Sequence, residues 1–166
     1  MPYPQRIGIA GPMQGGKSTL AALLAERIEA TIHPFAAPLK RMAMDLGWNG
    51  KKDQKGRKLL QLLGTEVCRG CIADDYWITQ WEETTEGEAS MYVIADDVRF
   101  DNEANMIRER GVMVYVMGRQ HWTHDHASEQ PPRMGPRDII INNAGDMYQL
   151  EQAASTLDAQ FTGMGV

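Results

Sequence analysis

The stretch GPMQGGKST, Gly11 to Thr19, constrains this chain more than any other. It satisfies G-x-x-x-x-G-K-[ST] at each fixed position, with Gly11, Gly16, Lys17 and Ser18 in register. Such a loop has chemical meaning only between a buried strand and a helix, and both flanks fit. Ile7-Gly8-Ile9-Ala10 is a short apolar run of strand type, and Leu20, Leu23, Leu24 and Ile28 mark one face of a following helix. Glycines let backbone N–H groups turn inward around a phosphate, and the new helix points its positive end at the same place. The stretch therefore reads as the phosphate site of a nucleoside triphosphate. Gly11, Gly15, Gly16, Lys17, Ser18 and Thr19 are its expected residues, with Lys17 reaching the outer phosphates and the Ser18 hydroxyl ligating Mg²⁺.

Beyond this loop, strand and helix patterns alternate. Strands are expected over 30–35, 91–95, 112–117 and 138–141, and helices over 17–29, 38–47, 57–69, 76–83, 102–110 and 147–161. Alternation of this kind predicts an α/β fold: a five-stranded parallel sheet with helices on both faces. The polar, turn-rich run 48–56 reads as a mobile surface loop. Arg57, Gln61, Thr65 and Arg69 recur every four residues, a polar stripe if the helix runs through Gly64. Trp77 and Trp81, at i and i+4, fit core packing. Between Gly118 and Arg137 periodicity vanishes, and a long irregular span in a compact domain suggests a lid. The whole chain, 1–166, is expected to form one domain.

Charge and composition narrow the function. A net charge of −5 argues against a general nucleic-acid binder, so an anionic ligand must be held by a local cluster of cations. No apolar run approaches the ~18 residues of a membrane span, and the start MPYPQR has no signal-type apolar segment, so a cytoplasmic protein is expected. Cys68 and Cys71 are spaced C-x-x-C, but one pair cannot complete a four-ligand zinc site, and they read as ordinary reduced cysteines.

A phosphate loop identifies the ligand and leaves its fate open. Asp96 and Asp97 stand at the end of the 91–95 strand, a Walker-B-like place for ligand groups beside the loop. A GTPase switch would add D-x-x-G and N-K-x-D; the chain runs on as Asp97-Val98-Arg99-Phe100 and has no N-K-x-D. A kinase of an alcohol needs a base, for which Asp96 or Asp97 would serve. A kinase of a monophosphate needs cations instead, because its acceptor is already ionised. Arg57, Arg69, Arg99 and the lid arginines Arg119, Arg133 and Arg137 favour that reading.

The segments GPMQGGKST, FAAPLK (35–40), GRKLLQLLGTEVCR (56–69), DVRFDNEA (97–104), HASE (126–129) and IINNAGDMYQL (140–150) together resemble the phage deoxynucleoside monophosphate kinases, relatives of adenylate kinase and dephospho-coenzyme A kinase. The resemblance implies a three-layer P-loop kinase fold and transfer of the γ-phosphoryl of ATP, with Mg²⁺, to a deoxynucleoside monophosphate in an infected bacterial cytoplasm. It implies monophosphate-binding helices over 36–84 and a lid over 118–137. Phe35, Lys40, Arg57, Gln61 and Arg69 would line the monophosphate pocket, with Trp77 and Glu129 as further candidates. Asp97 and Arg99 would sit at the junction of the nucleotides, Asp97 joining Ser18 on the metal. Arg137 is the catalytic candidate from the lid, and Asn143 would lie near the adenine. Asp101 stands where the family pattern has proline. The partners implied are small-molecule nucleotides, with neither nucleic acid nor membrane, and a monomer or homodimer. A small-alcohol kinase of dephospho-coenzyme A kinase type and a coupled P-loop ATPase module are the alternatives. His121, His124 and His126 read as solvated or substrate-facing side chains, with a zinc site in the lid as the other possibility.

Overall fold

In the computed structural model, which describes residues 4–118, 120–122 and 126–163, alternation of side chains along the strands sets the layers. The strands are β1 (Gln5–Ala10), β2 (Thr31–Ile32), β3 (Tyr92–Ala95), β4 (Gly111–Gly118) and β5 (Ile139–Asn143). They pair in the order β2-β3-β1-β4-β5, each pair parallel. Ile7 and Ile9 of β1, Ile94 of β3, and Val114 and Val116 of β4 face one side. There they meet Leu20 and Leu24 of α1 (Lys17–Ile28) and Leu150, Leu157 and Phe161 of α6 (Met147–Gly163). Intervening positions, Val93, Ala95, Met113 and Tyr115, face the other side. That side is covered by Trp77 and Trp81 of α4 (Tyr76–Thr85) and by Ala104, Met106 and Ile107 of α5 (Asp101–Glu109). The expected α/β architecture, a five-stranded parallel sheet between helices, is what the described residues form.

The outer strands differ from expectation for identifiable reasons. β2 is only two residues long: His33 N still donates to Ile94 O, but Pro34 has no N–H to continue and the Phe35 N–H turns to Asp97. β5 runs further, because Asn142 and Asn143 stay paired with Met117 and Gly118.

The helical span after the 46–53 connection is compound. α2 (Ala36–Asp45) precedes the connection, and α3 (Gln54–Gln61) starts after it with Asp53 accepting from Gly56 N at 2.8 Å, a regular N-cap. α3 then widens into a π-helix over Leu62–Ile72, whose last bond runs from Ala73 N to Cys68 O, five residues back. The wider turn changes what a four-residue spacing means. In α3 four residues overshoot one turn; in the π-helix they fall short of it. Arg57 is thus exposed, Gln61 half-buried and Arg69, at 7% exposure, buried.

Candidate active site

The site lies at the C-terminal ends of β1, β3 and β5, where an open parallel sheet gathers its ligand groups. The loop after β1 enters α1 through Gly16, in the left-handed region at φ 98°. A Cβ there would also stand 2.7 Å from Asn143 Nδ2, so glycine is required twice over. Asn143 is buried; its Nδ2 donates to Gly15 O at 2.9 Å and its Oδ1 accepts from Gly145 N at 3.1 Å. It ties the phosphate loop to the turn before α6. A cleft of about 310 Å³ opens there, lined by Gln14 to Thr19, Asn143, Asp146, Met147 and Leu150. Asp146, Met147 and Leu150 carried no role in the sequence reading, although they sit in the IINNAGDMYQL segment.

Lys17 donates from Nζ to Pro12 O at 2.8 Å, folded over its own loop. Burial, then the nearby Arg99 charge, bring its ammonium down to about 8, against the pull of Asp96 and Asp97. The carboxylate that Ser18 touches is Asp96: Ser18 Oγ donates to Asp96 Oδ2 at 2.7 Å. Asp97, expected beside Ser18, is engaged elsewhere. Its oxygens accept from Phe35 N at 2.7 Å and Ala36 N at 2.9 Å, so it holds the first turn of α2. Burial raises its pKa, opposed by the Ala36 and Phe35 N–H groups and by Arg99. Adjacent carboxylates thus serve different elements.

Arg69 is fastened inside the fold. It donates from Nη1 to Asp74 O (2.5 Å) and Asn102 Oδ1 (3.3 Å) and from Nη2 to Glu103 Oε1, with its guanidinium 3.9 Å over the Phe100 ring. The other Glu103 oxygen accepts from Arg99 N at 2.8 Å and Phe100 N at 3.2 Å. Glu103 therefore connects the π-helix to the turn that carries Arg99. Burial pushes its carboxyl up, to about 7, against Arg69 and the Arg99 N–H. Sequence reading gave Glu103 no role, although it lies in DVRFDNEA. The Arg99 side chain reaches forward, Nη1 donating to Ser128 O at 3.0 Å, and Gln61 Nε2 lies 3.4 Å from Glu129 Oε1. These contacts bring the 126–129 segment over the site.

Other candidates fall elsewhere. Phe35 is buried and stacks on Trp81, ring centroids 5.4 Å apart. Trp77 is a core residue, its Nε1 donating to Gly64 O at 2.9 Å. Arg137 precedes the N-terminal end of β5, the end remote from Asn143 and the phosphate loop. Residues 131–138 are strapped to the body. Arg108 donates from Nε to Asp138 Oδ1 (3.0 Å) and from Nη2 to Asp138 Oδ2 (2.6 Å) and Arg133 O (2.7 Å), while Arg133 N donates to Asp101 Oδ1 (2.7 Å). Arg119 and His124 lie outside the described residues. His121 is exposed, and His126 Nδ1 is 2.9 Å from Ser128 Oγ. Among the described residues no three His, Cys, Asp or Glu side chains form a metal-holding group. Cys68 and Cys71 are both free, and no described helix is long and apolar enough to cross a membrane.

A glycine loop after the central strand of a parallel sheet, with Lys17, Ser18 and Asp96 around it, defines a P-loop nucleotide-binding protein. The family model for deoxynucleotide monophosphate kinase matches residues 43–154. The chain belongs to that family and is a nucleotide kinase. It is 27% identical, over 82% of its length and 87% of the relative's, to a protein of Acanthamoeba polyphaga mimivirus provisionally named a deoxynucleotide monophosphate kinase. Among solved structures, a gluconokinase from Sinorhizobium meliloti 1021 is similar with a TM-score of 0.54 at 16% identity, covering 97% of this chain and 95% of its own. A structure from Chloroflexus aurantiacus J-10-fl, provisionally titled a kinase, gives 0.56 at 12% identity, covering 98% of both chains. At these identities the likeness is one of fold.

Proposed function

We propose that this protein transfers the γ-phosphoryl of Mg-ATP to the phosphate of a deoxynucleoside monophosphate, giving the diphosphate. The observation that carries this reading is the pairing of a phosphate loop with carboxylates that are both engaged, Asp96 on Ser18 and Asp97 on the head of α2. An alcohol acceptor would need a free base beside the loop. A monophosphate does not, since its second pKa of about 6 leaves it mostly ionised at neutral pH. What remains is positioning and compensation of charge.

Roles follow from placement. Backbone N–H groups of the loop and the Lys17 ammonium hold the donor phosphates, and the cleft beside Asp146, Met147 and Leu150 receives the donor base. The hydroxyl of Ser18 and the carboxylate of Asp96 are a hard oxygen pair suited to Mg²⁺, which supplies charge neutralisation on the donor phosphates. Arg99 stands between the donor side and the 126–129 segment and compensates charge at the junction. Arg69 and Glu103 hold the Arg99 turn in place and are positioning residues. The helices over 36–84 hold the acceptor through Lys40, Arg57 and Gln61. Within the 118–137 segment, 126–130 acts as the lid and 131–137 belongs to the strap.

A panel of deoxy- and ribonucleoside monophosphates with Mg-ATP, read by diphosphate formation, tests this reading. Conversion of one or more deoxynucleotides is the expected result. ATP binding without any monophosphate accepting phosphate would contradict it.

A further inference from the structure

His126 opens the segment that lies over the site. Residues Ala127–Glu129 form a single 3₁₀ turn, with Glu129 N donating to His126 O at 2.9 Å and Gln130 N to Ala127 O at 3.4 Å. A side chain caps this turn. Ser128 N donates to His126 Nδ1 at 3.2 Å, and Ser128 Oγ lies 2.9 Å from the same nitrogen. A backbone N–H only donates, so Nδ1 offers its lone pair and carries no proton; the Ser128 hydroxyl is then a second donor. The proton of the neutral ring sits on Nε2, the atom that faces Glu66 Oε1 of the π-helix at 3.8 Å. The imidazole thus acts as an acceptor at the head of the turn, as an Asn or Asp cap does.

What the cap holds in place is a carbonyl. Ser128 is buried, and its O accepts from Arg99 Nη1 at 3.0 Å. Arg99 is therefore fixed twice: its backbone N–H donates to Glu103 on the side of the body, and its guanidinium donates to Ser128 O on the side of the lid. Protonation of Nδ1 removes both of its acceptor bonds and sets one N–H against another at Ser128. The turn then loses its cap, and the Ser128 carbonyl its aim. The charged groups around the ring are Glu66 from the π-helix, Glu129 from the turn itself and Arg99 from the turn before α5. The two carboxylates favour an imidazolium and Arg99 opposes it. Glu66 is exposed and at 3.8 Å, so its pull is screened, whereas the two bonds to Nδ1 are lost outright.

We propose that His126, with Nδ1 unprotonated, is a positioning residue for phosphoryl transfer: it caps the turn whose Ser128 carbonyl holds Arg99 at the junction of the two nucleotides. This deepens the kinase reading and rests on it. His126 acts through Ser128 and Arg99 and touches neither substrate. Its loss therefore falls on kcat and spares both KM values, because Arg99 compensates charge that develops during transfer. Turnover also depends on the neutral ring, and imidazoles change charge between about pH 5 and pH 8.

The test sets His126→Ala beside His126→Asn, whose Oδ1 accepts from the N–H two residues on and does not titrate. Both substitutions lie outside the two hydrophobic cores. With saturating Mg-ATP and the deoxynucleoside monophosphate turned over fastest, His126→Ala is expected to lower kcat about tenfold or more at about pH 7.5, with both KM values within about threefold. His126→Asn restores kcat to within about threefold of wild type. The acceptor phosphate itself titrates near pH 6, so the ratio of His126→Asn to wild-type kcat is read, and it is expected to rise about fivefold or more between about pH 7.5 and pH 5.5. A flat ratio, equal loss in the two variants, or His126→Ala as fast as wild type overturns the inference. Nitrogen-15 NMR of the histidine rings, with His126→Asn assigning the signal, reads the tautomer without turnover. Nδ1 of His126 is expected to be unprotonated at about pH 7.5, and a proton on Nδ1 there overturns the inference. Wild type that shows this tautomer yet transfers phosphate to no monophosphate counts against the kinase reading, and wild type that transfers while the variants match it counts against His126 alone.

Discussion

Lys17 carries its charge where burial and Arg99 both oppose it, and its pKa of about 8 has a consequence for donor capture. As pH rises through about 8 the free enzyme loses the ammonium, so kcat/KM for ATP falls there. Bound phosphates favour the charged form, so kcat at saturating ATP holds to higher pH. A pH profile of both parameters checks this; kcat/KM flat to about pH 9 would contradict it. Asp96 and Asp97 differ in a way that substitution separates. Asp96→Asn weakens the proposed metal pair and is expected to lower kcat by ~10²-fold or more, with little change in folding stability. Asp97→Asn leaves only one carbonyl oxygen for two backbone donors, and is expected to cost about 1–3 kcal/mol of stability and to loosen α2. Denaturant unfolding and steady-state kinetics on the two variants distinguish the roles.

At the scale of elements, the π-helix and α5 are locked by one buried pair. Arg69→Ala strands Glu103 without its cation and is expected to destabilise the fold by about 3–5 kcal/mol, measured by denaturant unfolding. Glu103 also gives stability a pH dependence. Its folded pKa, about 7, lies above its ordinary value of 4.5. The folded state thus holds the proton more strongly, and the contribution is full below the lower value and lost as pH rises through the higher one. The Tm difference between wild type and Glu103→Gln should therefore grow as pH is lowered from about 8 to about 5. The strap is a separate element: Arg108→Ala removes the fork on Asp138 and the bond to Arg133 O, and limited proteolysis should then cut within 131–138, where the wild type resists. What could be read ahead of the structure follows the same division. The phosphate loop was legible because its spacing, flanking strand and helix are contiguous. Burial of Arg69 was not, because a four-residue spacing marks a surface stripe only on α-helical geometry. The run 48–56, expected as a mobile loop, holds a stapled turn that was not legible either: Asn, Gly and Lys read alike in both, and the bonds from Trp48 Nε1 to Lys51 O and from Lys51 N to Asn49 Oδ1, like the closeness of Gly56 to Lys51 O, exist only in three dimensions. Asp96 and Asp97 could both be placed at the strand end, but which one meets Ser18 depends on where the head of α2 lies.

Across the whole molecule, separate elements meet at one end of a parallel sheet. Ser18 of α1 meets Asp96 beyond β3, Asn143 of β5 meets Gly15 of the phosphate loop, and Asp97 meets the head of α2, so the arrangement exists only when the sheet is assembled. The family and the fold assign the chain to the nucleotide kinases, and the engaged carboxylates favour a phosphate acceptor over an alcohol. The most direct measurement is the fate of label from γ-labelled ATP incubated with Mg²⁺ and deoxynucleoside monophosphates, with Lys17→Ala as the blank. The account predicts label at the terminal phosphate of a deoxynucleoside diphosphate, and none in the blank. Label released only as inorganic phosphate, or the same diphosphate yield from Lys17→Ala, would contradict it.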